Sequence, residues 1–196
     1  MMRAICGPMS AVLLVLAAPC AAQRAKQPPT NAEMTAIFDA DQADRQGSGA
    51  AIDWSVVGPR DEARRVRTLA LLDAGALHSG DDFWHAAFVF QHGAEANDFL
   101  LAHTLAIIAA ARGRADATWI AAATLDRFLN KIGRAQIYGT QFHSRPGEPT
   151  TQEPYDRALV SDALRQALGV PAQAAQERQR AQFEAESRAS ERAPRP

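Results

Sequence analysis

Residues 81–142 read DDFWHAAFVFQHGAEANDFLLAHTLAIIAAARGRADATWIAAATLDRFLNKIGRAQIYGTQF. Apolar side chains recur here at helical spacing in three successive segments. The first starts at Ser79-Gly80-Asp81-Asp82 and runs to His92, with Gly93 expected as its left-handed cap. The second opens at Asn97 or Asp98 and closes at Gly113; the third is capped by Asp116 and ends at Gly133. Phe83, Trp84, Ala86, Ala87, Phe88, Val89 and Phe90 cover most of the first helix, which predicts a place in the middle of a bundle. The short links force antiparallel neighbours. Folding at Arg114 brings His103 level with Asp126, and folding at Glu95 leaves His92 at the rim, about 7.5 Å above His103.

Upstream, Thr30 and Glu33 have capping-box spacing, predicting a helix from there to about Gly47-Ser48-Gly49. Asp41 and Arg45 fall on its apolar stripe of Met34, Ile37 and Phe38, as an i,i+4 pair that points toward the domain. After a loop, Pro59 fits the first position of a second helix ending at Gly75, with Arg64, Arg65 and Arg67 on its solvated face.

Downstream of Gly133 the helical period stops. Alternation across Ile137–His143 and Pro149–Tyr155, with Pro146-Gly147 between them, predicts a short β-hairpin with a type II turn. A last packed helix is expected over about Arg157–Leu168, stopped by Gly169 and Pro171. The expected fold is mainly α: a single bundle of five to six helices over residues 30–170, with that hairpin near its C-terminal end. Residues 171–196 are polar and read as an exposed helix or a disordered tail.

The N-terminus points to export. Arg3, the apolar run Ser10–Ala18 and the small residues Cys20-Ala21-Ala22 have the pattern of a signal peptide over 1–22, followed by a linker over 23–29. The run is too short to span a bilayer. A lipid anchor at Cys20 is disfavoured because Pro19 precedes the cysteine. The expected product is periplasmic or secreted, with no transmembrane segment in the mature chain. Both cysteines, Cys6 and Cys20, fall inside the leader, which removes disulfides, thiol nucleophiles and cysteine-bound metals from the mature chain. A net charge of -1 and no basic stripe exclude an electrostatic case for nucleic acid.

The chain carries no G-x-S-x-G, no phosphate-binding loop, no dinucleotide fingerprint and no H-E-x-x-H. Metal ligation by His85, His92, His103 and Asp126 is geometrically awkward, so no metal and no cofactor is expected. His103 beside Asp126 would form a base with an orienting carboxylate; a buried histidine satisfied by a polar neighbour is the structural alternative. Gln136, Tyr138, Thr140 and Gln141 around Gly139 suit recognition of a small polar ligand. They suit equally a plug whose glutamines bond free carbonyls at the end of the bundle.

The set Gln91-His92, Asp126-Arg127 and Gln136-x-Tyr138-Gly139-Thr140-Gln141-Phe142 resembles a family of bacterial proteins whose domain has no assigned function. That family shares a Q-H … D-R … Q-x-[YF]-G-T-Q-[FY] signature, and an Asp and an Arg in its first helix would correspond to Asp41 and Arg45. The likeness runs from about Met34 to Val170 and implies a mostly helical domain, without supplying an activity. The expected site is one pocket at the rim of the bundle. His92, His103 and Asp126 form its floor, Tyr138 and Gln141 cover it, and Arg127 or Arg45 stands at its edge. Two functional readings stand side by side. One is an exported, metal-independent hydrolase or transferase with His103 as base; the other is a non-catalytic module binding a small ligand or an envelope protein.

Overall fold

The computed structural model describes residues 28–46, 52–145 and 147–192. The expected leader over residues 1–22 with Cys6 and Cys20, the expected stop near residues 47–49 and Pro146 lie outside the described residues. Among the described residues seven helices follow one another: α1 Ala32–Ala43, α2 Trp54–Asp73, α3 Gly80–Phe90, α4 Ala96–Ala111, α5 Ala117–Lys131, α6 Asp162–Ala167 and α7 Gln173–Arg192. Among the described residues no helix is long and apolar enough to cross a membrane.

The fold is mainly α, and α3 is its centre. Its Ser79 and Asp82 make a reciprocal capping box. One face of α3 packs on α4, which packs in turn on α5, while α1 and α2 lie against the rest of its circumference. Ala86, Ala87, Ala102, Ala106, Ala109 and Ala117 are fully buried at these contacts. With only methyl groups between them, the helix axes can approach closely. Phe90, Val89, Leu105 and Ile120 fill the remaining space. Full burial of each such side chain is worth about 1.5–3 kcal/mol.

Four starts differ from expectation: α4 begins at Ala96 with Glu95 as its cap, before Asn97 and Asp98, α6 begins at Asp162, five residues after Arg157, and α1 and α2 differ as follows. Asn31, not Thr30, caps α1 by accepting from the Met34 amide at 3.0 Å, while the Asn31 amide donates to Asp82 Oδ1 at 2.7 Å. Tying α1 to the start of α3 decides which residue caps. Glu33 is drawn away to the exposed Arg67. Likewise Asp53 caps α2, so the helix begins at Trp54 and Pro59 lies inside it. Gly75, Gly113 and Gly133 all take positive φ at helix ends, but Gly93 does not. A Cβ on Gly93 would meet Asp98 Cβ at 2.3 Å, so close approach is what glycine permits there.

The expected hairpin does not form. The segment contributes two isolated bridges, Gln136 with Tyr155 in parallel sense and His143 with Thr151 antiparallel. Its amides are spent elsewhere. The buried Asp126 carboxylate accepts from the amides of Ile137 at 2.8 Å, Tyr138 at 3.0 Å and Thr140 at 2.9 Å, and from the Thr140 hydroxyl at 2.8 Å. Gln136 is fully buried and holds Gln141 from both sides, its Oε1 accepting from the Gln141 amide and its Nε2 donating to the Gln141 carbonyl. Donors collected by side chains cannot also build a ladder.

The loop is therefore a plug closed over the end of α5. Arg165 of α6, fully buried, donates to the carbonyls of Tyr138 and Ile137. Gln176 of α7 donates to the same Tyr138 carbonyl at 2.7 Å and accepts from the Tyr155 hydroxyl. Gly139 has φ 71°, and a Cβ there would lie 2.5 Å from the Tyr155 ring. Helix α7 is thus a packed element, and Phe183 meets Phe142 edge-on at 5.1 Å.

Asp126→Asn replaces an acceptor of four bonds by a group that carries its own donors, at a cost of about 2–4 kcal/mol in urea denaturation. The exposed Asp39→Asn is the control and should leave stability unchanged. A second expectation concerns His85, which stacks on Phe38 with centroids 4.4 Å apart and has a buried Nδ1 without a hydrogen-bond partner among the described residues. Burial pushes its pKa below the ordinary 6.5. The folded state then binds fewer protons than the unfolded one, so stability rises with pH from the lowered pKa up to about 6.5. Thermal melts of His85→Phe should lose that part of the pH slope.

Candidate functional site

The C-terminal end of α1, the first half of α2, the end of α3 and the middle of α5 meet around a cavity of about 340 Å³. Arg45, Asp61, Arg65, Gln91, His92 and Arg127 line it, with Trp54, Gly58, Gly93 and Ala94 at its edge. The helical period explains the convergence. Asp41 and Arg45 share the inner stripe of α1; Asp61, Arg64 and Arg65 lie on consecutive turns of α2; Gln91 and His92 are the residues on which α3 stops.

An ion-pair network forms one wall. Asp41, almost fully buried, accepts from Arg45 at 3.0 Å and from the Gln42 amide group at 2.8 Å. Arg45 reaches on to Asp61 at 2.5 Å, and Arg64 joins Asp61 at 2.9 Å and also bonds Asp44. Arg60 completes the set on Asp44 at 2.9 Å. The pairs with Arg64 and Arg60 hold the Asp44 carboxyl below its usual range. Three guanidinium groups are balanced by three carboxylates.

Facing the cavity, three side chains have no such balance. His92 Nδ1 lies 3.0 Å from Asp41 Oδ1. A carboxylate only accepts, so in the neutral imidazole the proton sits on Nδ1 and Nε2 presents a lone pair. Nε2 has no hydrogen-bond partner among the described residues, nor does the Gln91 side-chain amide. Arg127 has neither a hydrogen bond nor a carboxylate partner there, and its Nε is buried. Burial, and then the nearby Arg45 guanidinium, push the Arg127 pKa below the ordinary arginine value. Arg65 donates only to the His92 backbone carbonyl at 3.2 Å.

The expected single pocket is therefore two places. Asp41, Arg45, Gln91, His92 and Arg127 come together at the cavity. Asp126, Gln136, Tyr138, Thr140 and Gln141 come together in the plug, each bonded to backbone or to one another. Tyr138 contributes its amide and carbonyl, while Gln141 Nε2 donates to the Ala123 carbonyl and the Thr140 hydroxyl. The expected His103–Asp126 pair is not made. His103 Nδ1 bonds the Ala121 carbonyl at 2.8 Å, and Asp126 has its four donors from the loop. Sharing a level on antiparallel helices fixes height and leaves open which backbone groups compete nearer by.

Arg65 and Asp61 escaped the sequence reading, which placed the α2 arginines in solvent. Of the three, only Arg67 is mostly exposed, at 54% for its side chain, against 12% for Arg64. The signal for the others was present in the spacing of Asp41, Asp44 and Asp61, three carboxylates that needed cations. Arg127, expected at the edge of the pocket, lines the cavity beside Gln91 and His92 of α3. Among the described residues no three His, Cys, Asp or Glu side chains converge as metal ligands would.

A guanidinium held without a partner weakens the fold. Arg127→Met should raise the melting temperature, by about 1 kcal/mol in stability, since it removes an unsatisfied polar group and keeps the stem. A loss of stability in the same melt would mean that the guanidinium has a partner inside the protein. Comparison with protein-family models, with curated proteins and with solved structures finds no match for this chain.

Proposed function

We propose that this is an exported acid–base enzyme, a hydrolase or transferase, in which His92 is the general base and Asp41 its orienting carboxylate. One observation carries the reading. His92 Nδ1 is held at 3.0 Å by a buried carboxylate, while its Nε2 is unspent on the wall of a cavity. The expectation that His103 serves as base is replaced, because that imidazole and Asp126 are bonded to separate backbone groups. Export rests on the leader pattern of residues 1–22.

The step follows from the tautomer. His92 Nε2 takes a proton from water, or from the hydroxyl of an acceptor, as that oxygen bonds to the electrophilic centre of the substrate. The bond to the leaving group then breaks, and the proton on Nε2 passes to the departing oxygen. Asp41 stabilises the imidazolium formed between the two transfers, and no metal takes part in this step. Gln91 can direct its free amide at the substrate.

Hydrolysis of p-nitrophenyl phosphate and carboxylic esters provides the test, with melts run on every variant. His92→Asn should lower kcat/KM at least about 100-fold, with the melting temperature nearly unchanged. His103→Asn should leave kcat/KM unchanged while lowering stability. Equal rates in His92→Asn and the parent protein would overturn the assignment. Ligand binding without turnover in either protein would identify a binding module of the cell envelope in its place.

A further inference from the structure

The charges around the cavity do not sum to zero. Arg45, Arg60 and Arg64 are matched one for one by Asp41, Asp44 and Asp61. Two lining guanidinium groups are left over. Arg65 is bonded to a neutral carbonyl, and Arg127 is bonded to nothing among the described residues. Folding has brought Arg127 toward another cation, Arg45, and has dehydrated its Nε. Both features oppose folding, and both are relieved if an anion enters.

We propose that the cavity binds a doubly charged oxyanion, with Arg127 and Arg65 as its ligands and the Gln91 amide as a neutral donor. The inference deepens the acid–base reading of this cavity and rests on it for the word substrate: the compound acted on carries a phosphoryl group or a pair of carboxylates. A planar fork of N–H groups matches the oxygens of either group. Arg45 is poorly placed to take part, because its two terminal nitrogens are already engaged with Asp41 and Asp61. The balanced network instead serves to fix the wall from which the two free groups project.

Titration calorimetry of the full mature chain with inorganic phosphate, succinate and acetate tests this. Phosphate or succinate should bind measurably and at least tenfold more tightly than acetate. Arg127→Gln should weaken that binding at least tenfold, and Arg65→Gln should weaken it as well. Arg67→Gln, which alters an exposed ion pair with Glu33, should bind as the parent does. Absence of phosphate and succinate binding by the parent, equal binding of acetate, or unaltered binding by Arg127→Gln would each overturn the proposal. His92→Asn separates the two readings, because it should keep anion binding. If it does so while the parent protein turns over no ester, the oxyanion site stands and the enzyme reading falls. If the parent turns over neutral esters as fast as anionic ones, the oxyanion site falls and the enzyme reading stands.

Discussion

One carboxylate holds the C-terminal third of the molecule in place. Asp126 sits in the middle of α5 with no solvent around it and gathers three amides and a hydroxyl from the loop that follows its own helix. A buried anion is tolerable only when its lone pairs are filled, and here the loop backbone fills them. That arrangement turns the loop's carbonyls outward, where Arg165 and Gln176 meet them. Helices α6 and α7 are thus recruited by acceptors that the Asp126 cage leaves over. Remove the carboxylate, and the carbonyls that Arg165 and Gln176 meet are no longer held in place; Thr118 on Leu168, Arg180 on Thr150 and Phe183 on Phe142 remain.

The cavity, on a different side of α5, follows an opposite rule. Several of its charges are also buried, Asp41 and Asp61 among them, but the count is left uneven. Arginines 45, 60 and 64 are neutralised within the protein, and Arg127 is not. Single buried atoms of Thr68, His85, Asn130 and Arg165 also lack a hydrogen bond, but the cavity gathers an imidazole nitrogen, an amide and a guanidinium without one on the same wall. The plug shows that the sequence can meet most such needs when only folding is at stake, Arg165 Nε being the buried atom there left without a hydrogen bond. That contrast is the reason for placing function at the cavity.

Much of the helical framework could be read from the chain. The apolar periodicity of residues 83–132 located α3, α4 and α5, and the glycines at 113 and 133 closed two of them. Alternation across 137–155 misled, because period-two patterning reports which side chains share a face and says nothing of where the amides are bonded. Gln136 took one amide from 5 residues away and Asp126 took three from 11 to 14 residues away, and such partners are invisible to a local pattern. The site was half legible. The i,i+4 spacing of Asp41 and Arg45 was a local fact and survived. Pairing His103 with Asp126 required knowing which backbone carbonyl stood nearest, and no spacing rule contains that.

Asp126 and Arg127 are consecutive, yet they serve opposite ends of this division of labour. One helical step, about 100° of rotation, separates an anion that must be enclosed from a cation that must be left open. Rotating α5 to improve either environment would spoil the other. The peptide bond between them therefore acts as a shared index mark: the helix has a single azimuth at which the lid is shut and the cavity is charged, and drift in one half of the molecule is checked by the other.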